Sequence, residues 1–160
     1  MANAVKDIDK GWQEIEKQVL SYKRSSVLVG FQEGTKTKKE VKGQREKEGG
    51  KSMPQIAAEN EFGTKTIPAR PFMSTSFDEN INKIQELITQ QYYDVFDGKK
   101  TAKQGLDTVG IIFTGMIQQK IRQIIFPPNS PATIAMKGSS KPLIDFGQMI
   151  QSVRHKVVKG

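Results

Sequence analysis

The sequence predicts an α+β fold in which a small twisted sheet packs against two long helices and an N-terminal helix. Three observations support this prediction. Two long segments carry apolar residues at helical spacing, shorter segments are β-branched or held extended by proline, and no internal repeat or heptad array is found. A chain of 160 residues is long enough to bury one core, so a single domain is expected over residues 1–160.

The first predicted element is a helix from about Asp7 to Lys23. Asp7 or Asp9 can cap its start. Its apolar stripe consists of residues three or four positions apart: Ile8, Trp12, Ile15, Val19 and Tyr22. The stripe is expected to pack into the core, with a subunit contact as the alternative.

A strand is predicted over Ser25–Gln32, because this short β-branched and apolar run suits burial on both faces. The composition changes immediately afterwards. Residues 33–52 contain seven basic and four acidic side chains, and Val41 is their only apolar residue. Such a segment buries too little apolar area to offset its ordering entropy, so a long mobile charged loop is predicted there.

A short helix is predicted over Met53–Phe62. Ser52 is suited to cap it, Pro54 is tolerated in its first turn, and Gly63 is suited to end it. The apolar residues of this helix are expected to face inward: Ile56, Ala57 and Phe62.

An edge strand is predicted over Thr66–Met73. Pro68 and Pro71 hold the backbone extended and remove two hydrogen-bond donors, so a strand here can pair on one side only. Edge strands of small domains commonly meet a neighbouring chain. This segment is therefore expected to lie at a contact.

Two long helices follow. The first is predicted to start at a cap, Ser74 or Ser76, and to run through Phe96. Its apolar stripe is formed by Phe77, Ile81, Ile84, Ile88, Tyr92 and Val95. The second is predicted from Thr101 to about Phe126.

Three glycines lie in the second long helix, at positions 105, 110 and 115. Each weakens the helix by roughly 0.5–1 kcal/mol relative to alanine. The expected compensation is the close approach of a neighbouring backbone at one or two of them, with a bend in the helix as the alternative.

The last part of the chain is predicted to hold a helix stop, one short helical turn and a strand. Pro127 and Pro128 end the preceding helix, and residues 132–137 suit a single turn. In the predicted strand Gln151–Val158, Val153, His155 and Val157 share one side and polar residues share the other.

Residues that carry most enzymatic chemistry are scarce. The chain has no cysteine and one histidine, which excludes a thiol nucleophile and argues against a zinc site. His155 lies between two valines of a predicted strand and is expected to be structural. Glu59 and Glu61 are two positions apart and point to different helix faces, which argues against a paired-carboxylate site. The protein is expected not to be an enzyme and to use no metal or cofactor.

The formal net charge of +8 is compatible with a polyanionic partner such as DNA. Six basic residues of the charged loop are candidates to face DNA: Lys36, Lys38, Lys39, Lys42, Arg45 and Lys47. The alternative is a solvated loop, which its mixed charge favours. Neither a signal pattern nor an apolar window of membrane-spanning length is found, so no membrane is expected and the chain is expected to stay in the cytoplasm in which it is made.

Arg70 lies between two prolines, Pro68 and Pro71. Its backbone is therefore held extended, and the guanidinium can be directed at a carboxylate, such as Asp145 or one from a neighbouring subunit. The alternative is a solvated arginine. Two aromatic residues are expected to anchor this loop in the core: Phe62 and Phe72.

Two strings in the chain resemble the tail-component family of tailed bacteriophages, which includes minor tail, tail completion and virion morphogenesis proteins. The first is ENEFGTKTIPARPF at 59–72, and the second is PPNSPATIAMKGSSKPLIDFG at 127–147. The likeness extends over about residues 53–158 and consists of multi-residue strings in a fixed order.

This resemblance implies a virion protein that is assembled in the host bacterial cytoplasm and acts in tail completion or head-tail joining. It implies an oligomeric ring that caps or connects the tail tube, with further copies of the chain, tail-tube or head-connector proteins and the passing genomic DNA as partners. The residues expected at subunit or partner contacts are Phe62, Ile67, Pro68, Arg70, Pro71, Phe72, Pro128, Asn129, Lys141 and Asp145. A non-specific DNA-binding protein of phage or prophage origin is the alternative.

Overall fold

The structure is a computed structural model that describes residues 11–32, 52–123, 135 and 148–160. In chain order the elements are α1 (Trp12–Arg24), β1 (Ser26–Phe31), α2 (Met53–Phe62), α3 (Phe72–Phe96), α4 (Ala102–Gln123), α5 (Gln148–Ser152) and β2 (Val153–Val158). The described residues are mostly helical and include a small antiparallel sheet, so the predicted α+β class is confirmed.

Helices α3 and α4 pack against each other and form the centre of the fold. Lys120 Nζ of α4 lies 2.6 Å from Glu79 Oε1 of α3. Helix α1 packs against both, and Tyr22 Oη donates a 3.0 Å hydrogen bond to the carbonyl of Ile88. At the other end of α1, the Trp12 ring meets Phe96 edge-on, although 59% of Trp12 is exposed. The described helix α1 begins after Gly11, which has a φ of 99° and provides no side-chain cap.

The sheet consists of β1 and β2, which pair antiparallel with Val29 opposite His155. Its inner face lies on α4, and the predicted side of β2 formed by Val153, His155 and Val157 is that inner face. The prediction that β1 is buried on both faces is wrong. Because only one face has a helix against it in the described structure, Leu28 on the other face is 59% exposed.

Two apolar clusters form the core. The first lies where α2, α3, α4 and the end of the sheet meet, and its completely buried side chains are Phe72, Ile117, Ile121 and Val153. The second lies between α1, α3 and α4 and contains Tyr22, Val95, Ala102 and Leu106. Of the apolar stripe predicted for α3, Val95 belongs to the second cluster and Tyr92 packs against it.

Two of the three glycines in α4 lie at close contacts. A Cβ added at Gly110 would lie 2.5 Å from His155 Cδ2, and one added at Gly105 would lie 3.1 Å from Tyr22 Cε2. Gly115 has open space beside it. Close approach at two positions is as predicted, but the approaching groups are side chains rather than backbone.

The predicted edge strand over Thr66–Met73 is wrong. Residues 63–71 contain no strand, and α3 already begins at Phe72. The backbone groups of this segment bond locally and to α2 instead of to the sheet, as with Arg70 N, which donates to the carbonyl of Asn60 at 2.6 Å. The predicted strand over Gln151–Val158 begins only at Val153, because Gln151 and Ser152 belong to α5.

Several predictions concern residues outside the described ranges. These are the start of the first helix with its caps Asp7 and Asp9, the charged loop over 33–51, the end of the second long helix at 124–126 with the stop at Pro127 and Pro128, and the turn at 132–137, of which only Ala135 is described.

Candidate docking site

Helix α2 begins at a capping box that the local sequence encodes. Ser52 Oγ accepts from the backbone N–H of Gln55, and the Gln55 side chain accepts from the backbone N–H of Ser52 at 2.9 Å. Pro54 lies in the first turn, as predicted. The helix ends at Gly63, so its predicted start and end are both confirmed.

Gly63 turns the chain back on itself after α2. Its φ of 76° lies in the left-handed region that favours glycine. A Cβ at this position would lie 2.9 Å from the backbone nitrogen of Ala69 and 3.1 Å from the carbonyl oxygen of Ile67. Backbone crosses backbone here, so no side chain fits without movement of the connection.

The segment from Gly63 to Pro71, here called the α2–α3 connection, is closed by its own hydrogen bonds. Thr64 Oγ1 accepts from the backbone N–H groups of Thr66 and Ile67 at 3.2 and 3.0 Å. The N–H of Thr64 donates to the carbonyl of Ile67 at 2.7 Å. This turn is therefore held by four residues that are adjacent in sequence.

Arg70 fastens the end of the α2–α3 connection to α2. It is 5% exposed, and its Nη1 donates a 3.1 Å hydrogen bond to Asn60 Oδ1. Burial lowers the pKa of the Arg70 guanidinium from its ordinary value. The alternative of a solvated arginine is wrong. The described partner is an amide of α2, whereas the predicted partner Asp145 lies outside the described residues.

Glu61 is the residue that sequence reasoning missed. Its carboxylate is 8% exposed and accepts from the backbone N–H groups of Met73 and Ser74 at 2.9 and 3.0 Å. The Ser74 hydroxyl donates a third hydrogen bond at 2.7 Å. A carboxylate of α2 thus satisfies the free N–H groups at the start of α3, where negative charge is also favoured by the helix dipole.

The predicted caps of α3, Ser74 and Ser76, are therefore corrected. The helix begins two residues before Ser74, and Pro71 at the cap position makes no side-chain hydrogen bond. Ser76 lies completely buried within the helix. Because the capping group comes from Glu61, in a different helix, no serine is required at the cap position.

Phe72 and Phe62 lie at opposite ends of the α2–α3 connection and in opposite environments. Phe72 is completely buried and meets the ring of Phe31 edge-on at 5.9 Å, so its predicted role as a core anchor is confirmed. Phe62 is 81% exposed, so the prediction that it anchors the loop in the core is wrong. The last turn of α2 directs Glu61 toward α3, and the next residue consequently points to solvent.

The other predicted contact residues of the first string differ in exposure. Pro68 and Pro71 are exposed and Ile67 is half-buried. The remaining predicted residues lie outside the described part of the chain: Pro128, Asn129, Lys141 and Asp145 of the second string, and Lys36, Lys38, Lys39, Lys42, Arg45 and Lys47 of the charged loop.

A second surface that the sequence did not indicate is an apolar groove between β1, α3 and α4, with a volume of about 600 Å³. Its lining includes Val27, Phe77, Ile88 and Leu106. Phe77 and Ile88 are 44% and 42% exposed for this reason. The stripe predicted to make α3 a core helix is thus only partly covered by the described residues.

His155 packs on Gly110, with Nε2 3.6 Å from Asp107 Oδ1. Lys103, which lies 2.6 Å from Asp107 Oδ2, holds the pKa of Asp107 below its ordinary value. Within the described ranges no group of three or more His, Asp or Glu side chains is placed to hold a metal ion. His155 is partly buried and packs on α4, which matches the expected structural role, and the prediction that the chain is not an enzyme stays a prediction.

No protein-family model, curated protein or solved structure matches this chain. The resemblance to the phage tail-component family thus depends on the two sequence strings alone. None of the helices described is long and apolar enough to cross a membrane.

Proposed function

We propose that this chain is a bacteriophage structural protein that acts in tail completion or head-tail joining, where an oligomeric ring of it caps or connects the tail tube. The observation that carries the proposal is the α2–α3 connection, a fixed surface segment that presents the exposed ring of Phe62. The partners we propose are further copies of this chain and tail-tube or head-connector proteins.

The α2–α3 connection is preorganised for docking, because most of it is already held in one conformation before a partner binds. Its start is fixed by Gly63, its middle by Thr64, and its end by Arg70 and Glu61. Ordering a loop at an interface costs about 0.5–1.5 kcal/mol for each immobilised rotamer-rich side chain. A connection that is already ordered avoids much of this cost.

Phe62 is the residue that gains most from a partner. An aromatic ring that is 81% exposed leaves most of its apolar surface in water. Burying a phenylalanine completely is favourable by about 1.5–3 kcal/mol. A single large exposed aromatic at the end of a helix is typical of the few residues that dominate binding energy at an interface.

The resemblance supports the class of partner. The string at 59–72 that resembles the phage family is the same segment that the structure shows to be ordered and to carry Phe62. A contact that joins two different patches of identical chains can close into a ring. One docking segment per copy, which contacts a different patch on the next copy, would therefore be enough to build the ring that the resemblance implies.

The experiment compares Phe62→Ala with Tyr93→Ala. Tyr93 is a matched control, since it is an aromatic residue with 56% exposure on α3, away from the connection. The native mass of each purified protein is measured alone and with isolated tail tubes, and each is supplied to phage that lack the chain. We expect Phe62→Ala to remain folded but to weaken assembly by about 30-fold or more, which corresponds to about 2 kcal/mol.

Two outcomes contradict the proposal. If phage particles made without this protein are fully joined and infectious, the proposed role in tail completion or head-tail joining is wrong. If the Phe62→Ala, Tyr93→Ala and unchanged proteins assemble equally well, the α2–α3 connection is not the docking site.

A further inference from the structure

We propose that the exposed face of the sheet binds the phosphate backbone of duplex DNA. This face, here called the outer sheet face, consists of Ser26, Leu28, Arg154, Lys156 and Val158. The proposal rests on the proposed function in one respect, because a ring through which the genome passes is what would bring duplex DNA to it. It assigns a DNA contact to a surface distinct from the α2–α3 connection.

The pairing register places these five side chains on one surface. Lys156 is opposite Leu28, and Val158 is opposite Ser26. Alternate residues of a strand lie about 6.6 Å apart on the same face, so Arg154 and Lys156 form a short row. The inner face is occupied by α4, which leaves the row directed to solvent.

Positive charge is concentrated around this row. The described segments 24–32 and 148–160 contain four exposed cationic residues and no acidic residue: Arg24, Arg154, Lys156 and Lys159. Helix α3 has the opposite balance, with four acidic residues and one basic residue. A carboxylate that does approach β2, Asp107 of α4, lies at His155 on the inner face. The outer sheet face therefore carries cations and no carboxylate from these two segments, which gives it a positive local field.

Arg154 is held in place by backbone carbonyls of α5 and β2. Its Nη1 donates to the carbonyl oxygens of Gln151 and Val153. The guanidinium has further N–H donors, and planar donors of this kind match phosphate oxygens well. A fixed arginine beside a lysine on one strand is suited to backbone phosphates and has no evident means of reading bases.

Duplex DNA fits this surface better than an acidic protein does. Lysine is depleted from the centres of protein interfaces, whereas phosphate contacts are made mainly by lysine and arginine. Two of the four cations are lysines, and only Leu28 and Val158 supply exposed apolar surface on this face. The charge complementarity is therefore with a polyanion.

The test measures binding of the full chain to a short mixed-sequence DNA duplex by fluorescence anisotropy. The two cations of the outer sheet face, Arg154 and Lys156, predict a slope of about −1.8 for log affinity against log salt, which is about a 10-fold loss between roughly 50 and 200 mM salt. The variant Arg154→Glu with Lys156→Glu is expected to bind at least about 10-fold more weakly at low salt and to remove most of this slope.

The matched control is Lys17→Glu with Lys83→Glu, which changes the net charge equally on α1 and α3. It is expected to change affinity less than about 3-fold, because screening limits the effect of distant charges. Equal losses in both pairs would mean that net charge alone attracts DNA and would overturn the proposal. No binding by the unchanged chain, or no loss in the sheet pair, would also overturn it.

A third result would assign the surface to a protein. If the sheet pair alters the native mass of the assembly and leaves DNA affinity unchanged, the outer sheet face contacts an acidic chain and the proposal is wrong. Because the probe is free duplex DNA, the binding result is independent of whether phage particles require the chain. Failure of the DNA site and failure of the tail function are therefore separate observations.

Discussion

The N-terminal end of α3 is capped by a buried carboxylate from another helix, whereas its C-terminal end is closed by residues that directly follow it in the sequence. At the N-terminal end, the carboxylate of Glu61 accepts hydrogen bonds from the backbone N–H groups of Met73 and Ser74. At the C-terminal end, Gly98 adopts a φ of 70° and its N–H donates to the carbonyl of Val95 at 3.0 Å. Exposed and half-buried ion pairs, such as Lys100 with Asp94 at 3.0 Å, accompany this turn.

The difference shows which parts of a helix boundary depend on tertiary structure. A hydrogen bond to a buried charged group contributes more to stability than an exposed ion pair, since water cannot replace the lost partner. The start of α3 therefore depends on the packing of α2, while its end depends mainly on a local glycine turn. Substitutions at the two ends are expected to differ accordingly.

The largest effect is expected from Phe72→Ala, which removes the first residue of α3 from the core. Phe72 is completely buried, so truncation leaves a cavity and costs about 3–5 kcal/mol of unfolding free energy. Urea unfolding measures this loss. Phe62→Ala is the control, and a change within about 0.5 kcal/mol is expected because its ring is exposed. Similar losses for both variants would contradict the assigned environments.

Glu61→Ala is expected to have the next largest effect. It leaves the N–H groups of Met73 and Ser74 without their acceptor, which costs about 2–3 kcal/mol. Glu61→Gln keeps one acceptor oxygen and is expected to cost about half as much. Glu86→Ala, at an exposed position of α3, is the control and is expected to leave the urea midpoint nearly unchanged. A loss no greater than that of the control would remove the capping role of Glu61.

The two glycines provide a direct test of the comparison. Alanine in a left-handed conformation costs about 1 kcal/mol, which is all that is expected for Gly98→Ala, where the nearest group is the Ile15 side chain at 3.5 Å. Gly63→Ala adds a clash with the backbone of Ala69, so about 2–3 kcal/mol is expected. Thermal unfolding of the two variants measures the difference. A larger loss of stability in Gly98→Ala than in Gly63→Ala would mean that the backbone of the α2–α3 connection adjusts to a side chain more easily than the turn at Gly98 does.

The smallest effect is expected at the C-terminal end, from Asp94→Asn. The hydrogen bond from Lys100 lowers the pKa of Asp94 in the folded protein. A carboxyl group with a lowered folded pKa contributes stability above its unfolded pKa, about 3.9, and loses it as the pH falls through the folded value. The small difference in melting temperature between wild type and Asp94→Asn should therefore be present at pH 7 and vanish in acid. A difference that persists in acid would contradict the ion-pair assignment.

Local signals explain what the sequence predicts well. The capping box at Ser52 and the stop at Gly63 define α2, because each partner lies within a few positions of the other. Alternation in β2 likewise identifies the side with Val153 and Val157 that packs on α4. These features require no knowledge of distant contacts.

The errors share a different physical cause. Glu61 is ten or more positions from the backbone groups that it caps, so the start of α3 carried no local signal. The prolines of this segment predict a strand, but its hydrogen-bond partners lie within the segment and in α2. The exposure of Phe62 depends on which side of α2 Glu61 occupies, which is a tertiary property. The candidate docking site could thus be located from the sequence, but its orientation could not.

The bond from Glu61 to Met73 spans twelve positions, and this span has a consequence for changes of chain length. One residue inserted into or deleted from the α2–α3 connection would rotate the first turn of α3 by about 100° relative to the carboxylate. Substitutions at the exposed Lys65 or Pro68 leave that alignment intact. Among sequences that keep this fold, the number of residues between the two helices and the residues at Gly63, Thr64 and Arg70 should be fixed, while an exposed residue such as Lys65 is free to vary.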